Sequence, residues 1–466
     1  MPNEQSQGLS FNSMPQFLAT LIRGLRKRGA DMKPLCHQLL SQRGEVKQVA
    51  LAQRIIELYG GMDSNQQLAF FEMLARDFGP DEPALKRALE EYREVANPAR
   101  VSALFAAIEP LRQELFRRIN TAPAGTENLL AMRADLLRWL HRCPNLSVLD
   151  TDLKHLFKSW FNPGFLRLER IGWHTPARVL EKLIRYEAVH EINGWPDLRR
   201  RLEADRRCFA FFHPALSEEP IIFLEVALTR GLALKLDPLL DICAPVLPVE
   251  QANTAVFYSI NNCLDGLRGI PLGSFLIKRV VDELSAELPR IRCYSTISPL
   301  PGFAQALHDQ QDQNGFTRER LSRLLGDFAG ELTARAGNSD PIDALFLLLK
   351  DPVACSKVLS PPLHRLALVY LTRLLADGKP YDPVARFHFA NGARLELIDT
   401  FANRRPYGLQ QSYGVMVNYR YISWELERNH ERFVQGGDMR ISPRLRHDNK
   451  AAGRLWRGEL PQRVRR

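Results

Sequence analysis

The chain changes texture at Phe161-Asn162-Pro163-Gly164, and that turn signal separates two kinds of folding instruction. Before it, apolar residues recur at helical spacing. Positions 85, 88, 89, 92, 95 and 96 are apolar, while Lys86, Arg87, Glu90, Glu91 and Arg93 fill the opposite face, as an amphipathic helix requires. This segment starts at Asp81-Glu82-Pro83 and stops at Asn97-Pro98, which are helix start and stop signals. Similar stretches run from Arg100 to Ile119, Glu127 to Arg142 and Thr151 to Trp160. The expectation is a flexible N-terminus over residues 1–13, then an all-helical bundle over 14–163 of the kind that supports or oligomerises.

After the turn, β-branched and aromatic runs predict strands at Cys208 to Phe212, Ile221 to Leu228, Ala255 to Ile260 and Ile291 to Ile297. Apolar residues at 276, 277, 280, 281, 284 and 288 predict a helix between the last two. Further helices are expected near Ile342 to Leu349 and Pro362 to Ala376, and a last strand over Tyr413 to Tyr421. The fold class is therefore α+β: a helical bundle followed by a mixed domain over 164–436. From Gly437 to Arg466 nine basic residues face three acidic ones without clear period, which reads as a basic mobile tail.

Composition closes off some functions. The 466 residues are 45% hydrophobic and 25% charged, ordinary for a folded protein. A net charge of +10 admits nucleic acid, an anionic membrane or a polyanionic small molecule. Much of that excess sits in the tail, and RRM, KH or helix-turn-helix strings are absent, so nucleic-acid binding is a rival reading carried by charge alone. The polar N-terminus with Glu4 lacks the pattern of a secretory leader, and the best uncharged apolar run, Ala344 to Leu349, is too short for a membrane span. Seven scattered cysteines without a C-x-x-C pair suit a reducing, cytoplasmic setting. With no H-E-x-x-H spacing and no G-x-S-x-G elbow, neither a metal site nor that hydrolase class is expected.

Three segments carry chemistry. The strand Ala255 to Ile260 leads through Arg268-Gly269-Ile270-Pro271-Leu272-Gly273-Ser274 into the amphipathic helix. Glycines allow close backbone approach and a helix N-terminus offers N–H groups to phosphate, so the loop suits a pyrophosphate-bearing ligand; it also reads as an ordinary strand-to-helix turn. In Tyr294-Ser295-Thr296-Ile297-Ser298-Pro299-Leu300-Pro301-Gly302-Phe303 the prolines end strand pairing and fix a hydroxyl at a strand end, although Ser before Pro is also a common turn starter. The third, Asp382 to Ala393, is a short helix with Pro383 near its start and Asn391-Gly392 at its end, carrying His388 between two phenylalanines. A packed core histidine and a functional one both fit that pattern.

Taken in order, these strings resemble the malonyl-CoA decarboxylase family. The resemblance also rests on His213-Pro214, Glu219-Pro220, Phe257 to Ile260, Leu272 to Val281 and Gly414 to Tyr421, and spans about Leu166 to Trp424. It implies a helical domain used in oligomer assembly and a catalytic domain related to Gcn5-type acetyltransferases, in which the loop Arg268 to Ser274 holds coenzyme A. The acetyltransferase spacing of that loop is not met cleanly here. The family's catalytic serine maps to Ser298, with Ser295 as neighbour and competitor, and its catalytic histidine to His388. Asn418 and Tyr419 are weaker candidates for lining the site, since alternation along a strand puts only one of them on any face. The implied reaction converts malonyl-CoA to acetyl-CoA and CO2 without metal or organic electron-sink cofactor, Ser298 orienting the malonyl group and His388 protonating the enolate. A Gcn5-type acyltransferase is the alternative and would need an acceptor amine.

Overall fold

The structure is a computed structural model and describes residues 32–216, 218–270, 272, 276–312, 315–373 and 380–459. The expected flexible residues 1–13, and Pro271, Gly273 and Ser274 of the loop, lie outside them. Backbone packing divides the chain into two units. The first comprises residues up to Arg167 with two later excursions, Phe212–Ile221 and Asn262–Pro271; the second holds the remainder.

The first unit is helical. Its described α-helices are Met32–Ser41, Glu45–Gly60, Ser64–Asp77, Glu82–Glu94, Pro98–Ile108, Leu111–Ile119, Gly125–Trp139 and Ser147–Trp160. Local chemistry sets several boundaries: Asp63 and Gln66 form a capping box, and Asp81 and Asn97 cap helices that open with proline in the first turn. Pro110 breaks the stretch expected to run unbroken from Arg100 to Ile119. Leu39, Ile55, Phe71, Phe78, Leu115, Leu129 and Phe157 are among the core side chains.

The second unit is built on an eight-stranded sheet: β1 (Arg167–Ile171), β2 (Arg206–Phe212), β3 (Pro220–Thr229), β4 (Thr254–Asn262), β5 (Cys293–Thr296), β6 (Ser298–Pro299), β7 (Arg394–Asp399) and β8 (Met416–Tyr421). Their order is β1-β2-β3-β4-β5-β8-β6, with β7 also on β8. Strands β4 and β5 run parallel, joined through the helix Leu276–Glu287, whose apolar stripe Leu276, Ile277, Val280, Val281 and Leu284 is buried. Strand β8 is antiparallel to β5, β6 and β7. Under β4, the buried Glu187 carboxylate accepts hydrogen bonds from Ser259 (2.7 Å) and Asn261 (2.8 Å), a satisfied polar anchor rather than an orphaned charge.

Two readings of the sequence are corrected. The last strand begins at Met416, because Tyr413 adopts φ 53° and closes the helix Pro406–Ser412. The stretch expected to be a mobile tail contains the helix Pro443–Arg457, with Leu445 and Ala452 buried. Leading into it, the Leu395 N–H donates to the Arg440 carbonyl and the Ser442 N–H to the Leu395 carbonyl on either side of the Leu395–Ile441 bridge, and Arg323 donates to the Leu455 carbonyl. Apolar residues at 445, 452 and 456 supply a helical stripe that the many arginines obscure. Among the described residues no helix is long and apolar enough to cross a membrane.

Candidate active site

The site forms where β5 changes partners. Its parallel register with β4 runs from Thr254 opposite Cys293 to Phe257 opposite Thr296. The chain then turns: Ile297 donates to the Phe257 carbonyl, and Ser298-Pro299 pairs with Val417 and Met416 of β8. Proline cannot extend a central ladder, so the strand ends here and Ser298 is left at a fixed, buried position. Gly302, at φ 84°, starts the next helix, Phe303–His308, using backbone space open mainly to glycine.

His388 arrives on the helix Pro383–Ala390. The Asp382 carboxylate caps that helix by accepting the Ala385 N–H at 2.7 Å, and Gly392 stops it at φ 76°. A side chain on Gly392 would run into the Leu426 backbone. The imidazole, 2% exposed, stacks on the Tyr419 ring with centroids 4.3 Å apart. Its Nε2 lies 3.0 Å from Ser298 Oγ and its Nδ1 2.7 Å from the Tyr421 hydroxyl. Ser298 Oγ is in turn 2.9 Å from Thr296 Oγ1, which accepts the Tyr419 N–H.

These four side chains form one hydrogen-bonded row, Tyr421–His388–Ser298–Thr296. Burial pushes the His388 pKa down to about 3, so the ring is neutral and carries one N–H. Protons can then be ordered in two ways. Either Tyr421 donates to Nδ1, Nε2–H to Ser298 and Ser298 to Thr296, or every donor reverses and the Tyr421 hydrogen is released from the row. Burial holds both Tyr419 and Tyr421 well above the usual phenol range, so both stay protonated.

The strands sort the remaining candidates. Asn418 alternates to the opposite side of β8, where its amide donates to Asp399 (2.7 Å) and to the Ala233 carbonyl (3.1 Å). Ser295 is fully buried, pairs in register with Arg420, and its hydroxyl meets no partner among the described residues. Tyr421 and Thr296 escaped sequence reasoning. The available signal was strand alternation, which puts 421 on the face of 419 and 296 on the face of 298.

The loop residues Arg268, Gly269 and Ile270 belong to the first unit and Leu272 to the second. Gly269 adopts φ 76°. The Arg268 guanidinium is exposed and paired with Asp265 at 2.7 Å.

Comparison with known proteins agrees along nearly the whole chain. Residues 78–161 match the malonyl-CoA decarboxylase N-terminal domain and residues 164–457 the malonyl-CoA decarboxylase C-terminal domain. This chain belongs to the malonyl-CoA decarboxylase family. It is 33% identical over 411 residues to the mitochondrial malonyl-CoA decarboxylase of Mus musculus, spanning 84% of this chain and 83% of that relative. Over 394 residues it is 34% identical to the mitochondrial malonyl-CoA decarboxylase of Anser anser anser, covering 79% and 77%. The crystal structure of malonyl-CoA decarboxylase from Rhodopseudomonas palustris aligns with a TM-score of 0.81 at 43% identity, covering 89% of this chain and 98% of that one. The one from Agrobacterium vitis aligns at 0.79 and 43%, covering 91% and 99%.

Proposed function

We propose that this chain converts malonyl-CoA to acetyl-CoA and CO2, with Ser298 and His388 as its catalytic pair. The carrying observation is their 3.0 Å contact, which joins two strings 90 positions apart in a chain of this family. Cleavage of the C–CO2 bond sends its electron pair into the thioester carbonyl, giving an enolate that takes one proton at carbon to become acetyl-CoA. No metal or organic electron sink is needed, because the thioester itself accepts the pair. The protein's tasks are orientation, stabilisation of charge on the carbonyl oxygen, and delivery of that proton.

Ser298 is rigidly held and orients the malonyl group. His388 supplies the proton, and its burial defines how. A neutral imidazole gives up its Nε2 proton readily only if Nδ1 gains one, and the Tyr421 hydroxyl 2.7 Å away is the donor in place. One proton from water restores the row, which balances the reaction. The loop from Arg268 to Ser274 receives the coenzyme A phosphates.

Purified protein incubated with malonyl-CoA alone tests the reading: acetyl-CoA and CO2 should form in equal amounts without any acceptor. Turnover that begins only when an amine is added would assign the site to an acyltransferase instead. General acid catalysis is worth about 10² to 10⁴ in rate, so His388→Asn should lose that much kcat while remaining folded.

Self-association through the helical unit, as a homo-oligomer, belongs to the same proposal. It is supported by the helix Pro98–Ile108, none of whose residues is buried, with Phe105 80% exposed beside Val101 and Ile108; an apolar face of this kind marks an interaction surface. A cytoplasmic setting is supported by the seven cysteines, all of them free thiols.

A further inference from the structure

The first unit contains a buried arginine whose partners are backbone atoms of the candidate coenzyme A loop. Arg133, on the helix Gly125–Trp139, is 0% exposed. Its Nε donates to Asp150 Oδ1 at 2.8 Å, its Nη1 to the Gly266 carbonyl, and its Nη2 to the Arg268 carbonyl at 2.8 Å. Gly266 lies so close to the same helix that a Cβ there would overlap the Leu130 carbonyl. The other Asp150 oxygen pairs with Lys154 at 2.6 Å. The Lys154 stem passes Gly269, 3.7 Å from where a Cβ on that glycine would sit.

This arrangement has a directional consequence. A trans peptide is planar, with its C=O and N–H on opposite sides. Fixing the Arg268 carbonyl on the guanidinium therefore turns the Gly269 N–H of the same peptide away from Arg133, at a residue whose positive φ opens the backbone to a ligand. Charge adds to this: Arg133 and Lys154 against Asp150 leave one net positive charge beside the loop, and Arg268 is neutralised by Asp265. Lys154 is 39% exposed, and an ammonium that spends one hydrogen on Asp150 keeps two for an anion.

We propose that Asp150, through Arg133 and Lys154, builds a phosphate-receiving site from the helical unit: Arg133 is a positioning residue that orients the Gly269 N–H, and Lys154 is the cation. Arg268, the sequence's candidate, is left with a surface role. The inference rests on the reading that this loop receives coenzyme A.

The test compares malonyl-CoA with malonyl-pantetheine, which keeps the reacting group but lacks the phosphates. Lys154→Met should raise KM for malonyl-CoA about tenfold, the size of a lost charge-assisted bond, with kcat and the malonyl-pantetheine parameters unchanged. Arg133→Met should do the same more strongly, and acetyl-CoA binding by calorimetry should weaken in step. Should Arg133→Met fail to fold, the half-exposed Lys154→Met carries the test alone. Unchanged discrimination between the two substrates in Lys154→Met would overturn the proposal while leaving the loop reading standing. A wild-type protein that uses both substrates equally well would overturn both together. An equal fall in kcat on both substrates, with a lowered Tm, would make Arg133 purely structural.

Discussion

His388 is buried and, among the described residues, has no carboxylate partner. The imidazolium would lose its hydration with nothing to replace it, and this places the pKa near 3. In the proposed reaction a neutral ring acts as a relay, so its partner at Nδ1 matters as much as the one at Nε2. Tyr421→Phe, which removes that hydroxyl and leaves the ring, should lower kcat by about 10 to 10² and leave KM nearly unchanged in steady-state assays. The kcat profile should be flat from pH 6 to 7; an acid limb at the ordinary histidine pKa would contradict the neutral relay. Asp382 is the opposite case, since burial raises its carboxyl from 3.8 to about 7. The unfolded chain ionises it earlier, so its contribution to stability is whole below pH 3.8 and declines as pH rises toward 7. Asn caps a helix as well as Asp does. Asp382→Asn should therefore match wild type at low pH and exceed it by a few kcal/mol at pH 8, on the scale of roughly 1.4 kcal/mol per pKa unit, in urea unfolding followed across pH.

At the scale of elements, His388 depends on how its helix ends. Asp382 and Pro383 fix the start, and Gly392 lets the chain leave in a left-handed turn pressed on the Leu426 backbone. Gly392→Ala adds both a strained φ and a clash, and should cost about 2 to 4 kcal/mol in Tm-based stability, with activity falling further than unfolding alone explains. The helix Pro98–Ile108 makes the reverse prediction. Phe105→Asp removes no buried contact, so Tm should hold while light scattering shows a smaller assembly. These caps, breaks and stripes were legible in the sequence because they are local. The helix Pro443–Arg457 was not, because Leu445, Ala452 and Trp456 stand among many arginines and the stripe is thin.

For the whole molecule, the first unit runs to Arg167, and the division is not a single cut. Residues 212–221 and 262–271 return to the helical unit. The second return brings Gly266 and Arg268 onto Arg133, a contact between residues more than 130 positions apart. The net charge of +10 is likewise a sum over surfaces with different jobs, and the cation beside the loop comes from a helix with no basic run.

The sequence by itself determined the helical first part, several central strands with the helix between the last two, and the punctuation at Ser298-Pro299 and Asn391-Gly392, since each follows from neighbours within a few residues; Ser298 and His388 were singled out only through the family resemblance. Only the tertiary structure decided that Ser298 and His388 touch, that Tyr421 completes the row, that Asn418 faces elsewhere, and that Arg133 holds the loop. Those facts depend on β8 pairing on both edges and on a chain excursion back to the helices, and non-local pairings of that kind are fixed by burial and register rather than by any local pattern.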